Sequence, residues 1–302
     1  MSKLGEQIAW GLNQVFPPLS IHQELEIAKS NVEANQQWAY NEAQRIKQAF
    51  EPYWDLKGLC ILDIGTGLGG KLPFYVEMGA KAVTGIDISF KSVRTSYQHV
   101  DSLGLIATNH ARVRLAVTDA ACLPFLDNTF DAIVSINVFE HIEQLEAAIH
   151  EAYRVLKPGG KAFLHLNPYY SPWGPHLENW IHFPWPHLLF SDRTLLHVAA
   201  RQDIQDRLNS KFVQAAQIDW EAAGGRIPDV NRVTLRRFRA LVKQAGFSIQ
   251  QLELLPVGYD NLKNHRSIIR RAVFQFLRLG AHIALLQEII VTKMVYVLRK
   301  AA

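Results

Sequence analysis

The sequence predicts an α/β fold built on a mostly parallel, doubly wound sheet. Three observations carry that expectation. Short apolar runs of strand length recur at Cys60–Ile64, at residues 82–86, 132–136 and 162–166, and stretches of helical periodicity separate them. Alternation of this kind is the pattern of strand–helix–strand units. The runs are apolar at most successive positions rather than alternating, as expected of strands covered on both faces. The first run also passes through Asp63 into Gly65-Thr66-Gly67-Leu68-Gly69-Gly70, a glycine turn between a strand and a helix start.

Taken in order, residues 1–56 are rich in helical pattern and form an expected N-terminal helical cap. Within it, Val32, Trp38, Ala43, Ile46 and Phe50 mark a stripe at helical spacing. Residues 57–167 are the expected cofactor-binding core. There Ser89 is placed to N-cap a helix carrying Val93, Tyr97 and Val100, which Gly104 ends. Ile142, Leu145, Ile149, Tyr153 and Leu156 mark the buried side of another helix. Residues 168–232 break the alternation. Pro168, Pro172, Gly174, Pro175, Pro184 and Pro186 are mixed there with Trp173, Trp180, Trp185, Trp220, His176, His182 and His187. An interruption of this length in a compact domain usually has its own role, so a lid or binding insertion is expected. Residues 233–302 return to the pattern: a helix over 234–245 with Leu235, Phe238, Leu241 and Val242 inward, a strand over 248–255, a helical stretch over 262–289 and a last strand over 290–298.

Composition bounds the class. A chain of 302 residues, 48% hydrophobic and 20% charged, is ordinary for one large domain with an insertion. Two distant cysteines, Cys60 and Cys122, argue against a disulfide framework and against a metal site, and none is expected. No basic-then-apolar leader is evident, and no uncharged apolar stretch approaches the roughly 18 residues of a membrane span. A cytoplasmic protein is therefore expected. Charge is uneven. Residues 226–302 hold 14 Lys+Arg against 4 Asp+Glu, while residues 1–225 hold 18 against 24. Basic Lys263, Arg266, Arg270, Arg271 and Arg278 interleave with apolar residues over 262–279, a pattern suited to peripheral contact with an anionic membrane.

The glycine turn also satisfies the dinucleotide pattern through Gly65, Gly67 and Gly70, a weak signal by itself. Asp63 tilts the choice. A carboxylate beside a pyrophosphate is repulsive, whereas beside a cationic ligand it is attractive. S-adenosylmethionine carries an ammonium and a sulfonium and no phosphate. Asp87 ends the second run about twenty residues beyond the glycines, where an acid can accept from both ribose hydroxyls. Asp119-Ala120, the strand ending at Asn137, Glu140-His141 and Leu156-Lys157-Pro158-Gly159-Gly160 follow.

With these motifs the chain resembles a class I S-adenosylmethionine-dependent methyltransferase of the small-molecule type, over residues 57–167 with a looser echo in 234–255. The resemblance implies a Rossmann-like, seven-stranded sheet whose last strand is antiparallel. It implies S-adenosyl-L-methionine as cofactor, with Asp63, Gly65, Thr66, Gly67, Gly69, Asp87, Ile88, Asp119, Ala120 and Asn137 as its binding residues. His141 opens a helix at the expected cleft and is the first candidate base. His176 and His182 in the insertion are further catalytic candidates. The clustered aromatic rings favour a small apolar or aromatic acceptor, with O-methylation the first expectation. Two alternatives stay open: a methyltransferase for RNA or another large anionic substrate, and a non-catalytic or NAD-binding protein of the same fold.

Overall fold

The computed structural model describes residues 3–16, 31–106, 112–178, 180–201, 226–227, 230–257, 275–277 and 279–302. The chain divides into two compact units. The sheet unit comprises residues 32–167, 235–255 and 293–302, and the second unit comprises residues 1–31, 168–234 and 256–292. The expected cap over 1–56 is thus divided at residue 31. Residues 32–50 stay with the sheet because Ala43, Ile46 and Phe50 are buried in its core.

The sheet holds β1 (Cys60–Ile64), β2 (Ala82–Asp87), β3 (Val113–Val117), β4 (Phe130–Ile136), β5 (Leu156–Leu166), β6 (Ser248–Pro256) and β7 (Val291–Arg299). Their order is β3-β2-β1-β4-β5-β7-β6. Strands β1 to β5 pair in parallel, and β7 runs antiparallel to β5, with Lys161 opposite Arg299 and Leu166 opposite Met294. The chain enters at β1, winds outward to β3, then returns to β4 on the other side. The order therefore reverses between β1 and β4, and ligands of open α/β sheets bind beyond the carboxyl ends of strands at such a switch point. Central β1 accounts for its continuous apolar run, since Ile61, Leu62 and Ile64 are all buried.

The helices of the sheet unit are α2 (Val32–Phe50), α3 (Leu72–Glu77), α4 (Phe90–Ser102), α5 (Leu145–Val155) and α8 (Leu235–Gln244). In the second unit, α1 (Lys3–Val15), α6 (Pro186–Leu189), α7 (Asp192–Ala199) and α9 (Ala284–Ile290) are described. Ser89 caps α4 by accepting from the Ser92 N–H at 3.2 Å, which satisfies one of the donors a helix start leaves open. Tyr97, expected on the inner stripe of α4, is exposed, and Ser96 is buried in its place. The reason lies in the glycine turn: a Cβ on Gly69 would meet the Ser96 Oγ at 2.4 Å, so the closest approach admits only a small residue. Leu235, Phe238, Leu241 and Val242 are buried on α8 as expected.

Aromatic packing fixes α2 to the sheet. Phe50 and Trp54 stack at 5.3 Å, and both meet Phe163 of β5 edge-on at 5.2 and 5.1 Å. At the other end of α2, a Cβ on Gly70 would lie 2.2 Å from the Gln36 carbonyl oxygen, and Gln36 Nε2 donates to the Leu68 carbonyl. Helix α2 thus holds the glycine turn from outside the sheet.

A separate cluster forms the core of the second unit: Ala9, Leu177, Trp180, Ile181, Phe183, Leu195, Leu196, Val198, Ala199 and Ile227. Trp180 is a core residue of that unit, and Trp220 lies outside the described residues. Most of the basic stretch over 262–279, proposed from sequence for membrane contact, also lies outside them. Among the described residues, no helix is long and apolar enough to cross a membrane. Cys60 and Cys122 are free thiols.

Candidate functional site

A cavity of about 300 Å³ opens in the sheet unit at the carboxyl ends of β1, β2 and β3, beside the loop after β4. That is the lower end of the range for small-ligand sites. Ile64, Gly65, Ile86, Asp87, Ile88, Thr118, Asp119, Ala120, Val138, His141, Ile142, Glu143 and Gln144 line it. The charged members of the wall are Asp87, Asp119 and Glu143, with His141 beside them, and among the described residues no lysine or arginine lines it.

The glycine turn is built to lie flat against its neighbours. The Gly65 and Thr66 N–H groups both donate to the Ile86 carbonyl, at 2.9 and 2.8 Å. Gly65 has φ +75, and a Cβ there would overlap the Val138 side chain at 2.2 Å. A left-handed conformation and a close approach together require glycine. Asp87 is the hub. One of its oxygens accepts from the Gly67 N–H at 2.9 Å, and the other accepts from the Ser89 N–H at 2.9 Å. The carboxylate therefore ties the turn to the start of α4 while facing the cavity, and each oxygen retains acceptor capacity for a ligand hydroxyl. Asp119 accepts from the Ala121 N–H at 2.9 Å, which fixes its side chain on the opposite part of the wall.

Five expected cofactor residues, Gly65, Asp87, Ile88, Asp119 and Ala120, line this cavity, and His141 does so as well. The other expected residues stand behind the wall. Asp63 is fully buried; its Oδ1 accepts from the Tyr75 hydroxyl at 3.3 Å and lies 3.7 Å from the Lys71 ammonium. Its counter-charge is supplied within the chain. Burial raises its pKa, and the Lys71 charge opposes that rise. Lys71 also donates to the Gly65 carbonyl at 2.9 Å, so the pair braces the turn from below. Thr66 is buried, with its hydroxyl where a Cβ on Gly85 would come within 2.9 Å, so only its backbone belongs to the turn. Gly67 reaches the site through its N–H to Asp87, and Gly69 serves the Ser96 contact.

Asn137, with φ 56, ends β4 in a left-handed conformation. Its N–H donates to the His165 carbonyl, and its Oδ1 lies 2.8 Å from His165 Nδ1. An amide oxygen only accepts, so Nδ1 carries the proton. Burial holds the His165 imidazole neutral, well below its usual pKa.

The sequence reading passed over Glu140 as a site residue. It is buried, its Oε1 accepts from the Asn167 N–H at 3.2 Å, and its Oε2 has no hydrogen-bond partner among the described residues. Burial pushes its pKa up to about 7, against the opposing charge of His141. Its adjacency to His141 was the available signal. Val138, Glu143 and Gln144 were missed because the loop after β4 has no glycine turn to mark which of its residues face the cavity.

The remaining catalytic candidates belong to the second unit. His182 is buried there, and its N–H donates to Asn13 Oδ1, whose amide donates in turn to the Trp180 carbonyl at 2.8 Å. His176 has φ 57.

Known proteins resemble parts of this chain. The profile of a family described as a methyltransferase domain matches residues 62–164. Phosphoethanolamine N-methyltransferase 2 of Caenorhabditis elegans is 30% identical over 125 residues, 41% of this chain and 27% of the relative. Sterol 4-C-methyltransferase strm-1 of the same organism is 34% identical over 100 residues, 33% of this chain and 28% of the relative. The match thus spans little more than a quarter of these curated relatives. Among solved structures, phosphoethanolamine N-methyltransferase 2 of Haemonchus contortus, in complex with phosphomonomethylethanolamine and S-adenosylhomocysteine, has TM-score 0.54 at 19% identity, covering 95% of this chain and 62% of that one. The [4+2]-cyclase SpnF has TM-score 0.51 at 18% identity, covering 99% and 96%. These two likenesses concern the fold, and they show that one fold carries different chemistries.

Proposed function

We infer that this chain, whose residues 62–164 match a methyltransferase-domain family, is a class I S-adenosylmethionine-dependent methyltransferase that transfers a methyl group to a small, apolar acceptor. The acidic wall of the cavity carries this reading. Asp87, Asp119 and Glu143, with no lysine or arginine lining the cavity among the described residues, suit a cationic, phosphate-free ligand and oppose the pyrophosphate of a dinucleotide. The donor set fits: Asp87 suits the ribose diol, Asp119 with Ala120 the adenine edge, and Ile88 and Ile142 the flat faces of the base. When bound, the cofactor supplies an activated methyl group on a sulfonium.

What remains for the chain is to orient the acceptor, exclude water and, for a hydroxyl acceptor, take up a proton. His141 on the cavity wall is the group assigned to the proton, which makes oxygen the acceptor atom in this reading. The two curated relatives named above are, by name, N- and C-methyltransferases, so the acceptor atom is the part most in need of test. Transfer of radiolabelled methyl from S-adenosylmethionine to a panel of phenols and sterols is the assay. Label is expected in free hydroxyl compounds and lost in their methyl ethers. His141→Ala is expected to lower turnover by roughly 10²-fold or more, with S-adenosylhomocysteine affinity retained. Undiminished turnover in that variant contradicts the assignment of the base.

A further inference from the structure

The second unit contains a polar side chain that its own surroundings do not satisfy. Both ring nitrogens of His187 are buried and have no hydrogen-bond partner among the described residues. The ring lies against two tyrosines: Tyr169 edge-on at 4.9 Å, and Tyr170 nearly parallel, 21° at 6.1 Å. A buried polar group without a partner is costly, and native structures that keep one need a reason for it.

The backbone around this ring is also unusual. Trp185, which precedes the short helix carrying His187, has φ 55, and Arg232 has φ 56. A positive φ at a bulky residue is a true outlier, and such outliers gather at functional sites. Other contacts hold both in place. The Trp185 indole N–H donates to the Ile289 carbonyl at 2.9 Å. Arg232 pairs with Asp192 and lies over the Tyr169 ring at 5.4 Å, and the Tyr169 N–H donates to the Val233 carbonyl at 2.8 Å. The arginine and aspartate therefore neutralise each other.

We propose that His187, Tyr169 and Tyr170 form a binding site, within the second unit, for a neutral apolar or aromatic molecule bearing a hydroxyl group. A neutral imidazole offers one N–H donor and one acceptor nitrogen that point away from each other, and a hydroxyl, able to accept or to donate, suits whichever of the two it meets. Burial pushes the His187 pKa down to about 4, so the ring is neutral at physiological pH. The tyrosine rings supply flat apolar walls. Tyr170, which lies nearly parallel to the His187 ring, is 40% exposed. The site stands on the geometry of the second unit, and its failure leaves the methyltransferase reading untouched.

Phenol and toluene are the probes, differing by a hydroxyl in place of a methyl, titrated into the full chain while the imidazole nitrogens are followed by NMR. Phenol is expected to shift a His187 nitrogen signal and to bind at least about tenfold more tightly than toluene, because toluene can pair with neither nitrogen. His187→Leu is expected to abolish that preference. His187→Gln, which keeps a donor and an acceptor, is expected to retain part of it and guards against loss of folding in the leucine variant. Equal affinity for the two probes, no shift of the His187 signals, or an undiminished phenol preference in a folded His187→Leu protein overturns the proposal.

Discussion

Asp87→Ala lowers the affinity for S-adenosylhomocysteine by about ten- to hundredfold, the loss expected when hydrogen bonds to a charged acceptor worth about 1.5–3 kcal/mol are removed. Two effects act together. The ligand's ribose loses its charged acceptor. The Gly67 and Ser89 N–H groups lose theirs as well, so the glycine turn and the start of α4 are no longer joined. Asp87→Asn separates the two effects, because the amide oxygen still accepts one of these bonds. An intermediate loss is expected there. Calorimetry on folded variants makes the measurement, and unchanged affinity in Asp87→Ala rules out the ribose assignment.

Glu140→Gln makes the protein markedly more stable at pH 8 and changes its stability by less than about 1 kcal/mol at pH 5. The sign follows from linkage. Burial raises the folded pKa of Glu140 to about 7, above that of an unfolded chain. Between the unfolded and folded values the native state binds more protons than the unfolded one, so wild-type stability falls as pH rises through this window. At about 1.36 kcal/mol per pKa unit, the penalty above pH 7 is on the order of 3 kcal/mol. Glutamine keeps an oxygen for the Asn167 N–H and has no charge to bury. Denaturant melts at pH 5 and pH 8 are the check. Parallel pH profiles for the two proteins contradict a strained Glu140 carboxylate.

The sheet was legible because its physics is local. Strands buried on both faces must be apolar throughout, and the turn after β1 must be glycine where Val138 and Ser96 approach. Asp87 was legible for the same reason: an acid at a strand end, at a fixed distance from a glycine turn, has few other uses. The burial of Asp63 was not legible. Its charge reads from the sequence, but its pairing depends on Lys71 and Tyr75 turning inward from the segment after the glycines. Tyr97 failed as a core residue because helical spacing does not reveal that Gly69 needs Ser96 beside it. The division of residues 1–56 was equally hidden. Both α1 and α2 are amphipathic, and periodicity identifies a buried face without naming what it is buried against. Trp180 illustrates the same point: a tryptophan among prolines looks like a ligand contact until Leu177, Ile181 and Leu195 are seen in its cluster.

The central claim is that the acidic cavity at the ends of β1, β2 and β3 takes S-adenosylmethionine and not a dinucleotide. Titration calorimetry of the full chain with S-adenosylhomocysteine and, separately, with NAD tests it most directly. The expected result is saturable binding of S-adenosylhomocysteine, weakened in Asp87→Ala, and no measurable heat with NAD. Binding of NAD in preference to S-adenosylhomocysteine, or S-adenosylhomocysteine binding untouched by Asp87→Ala, would contradict the account.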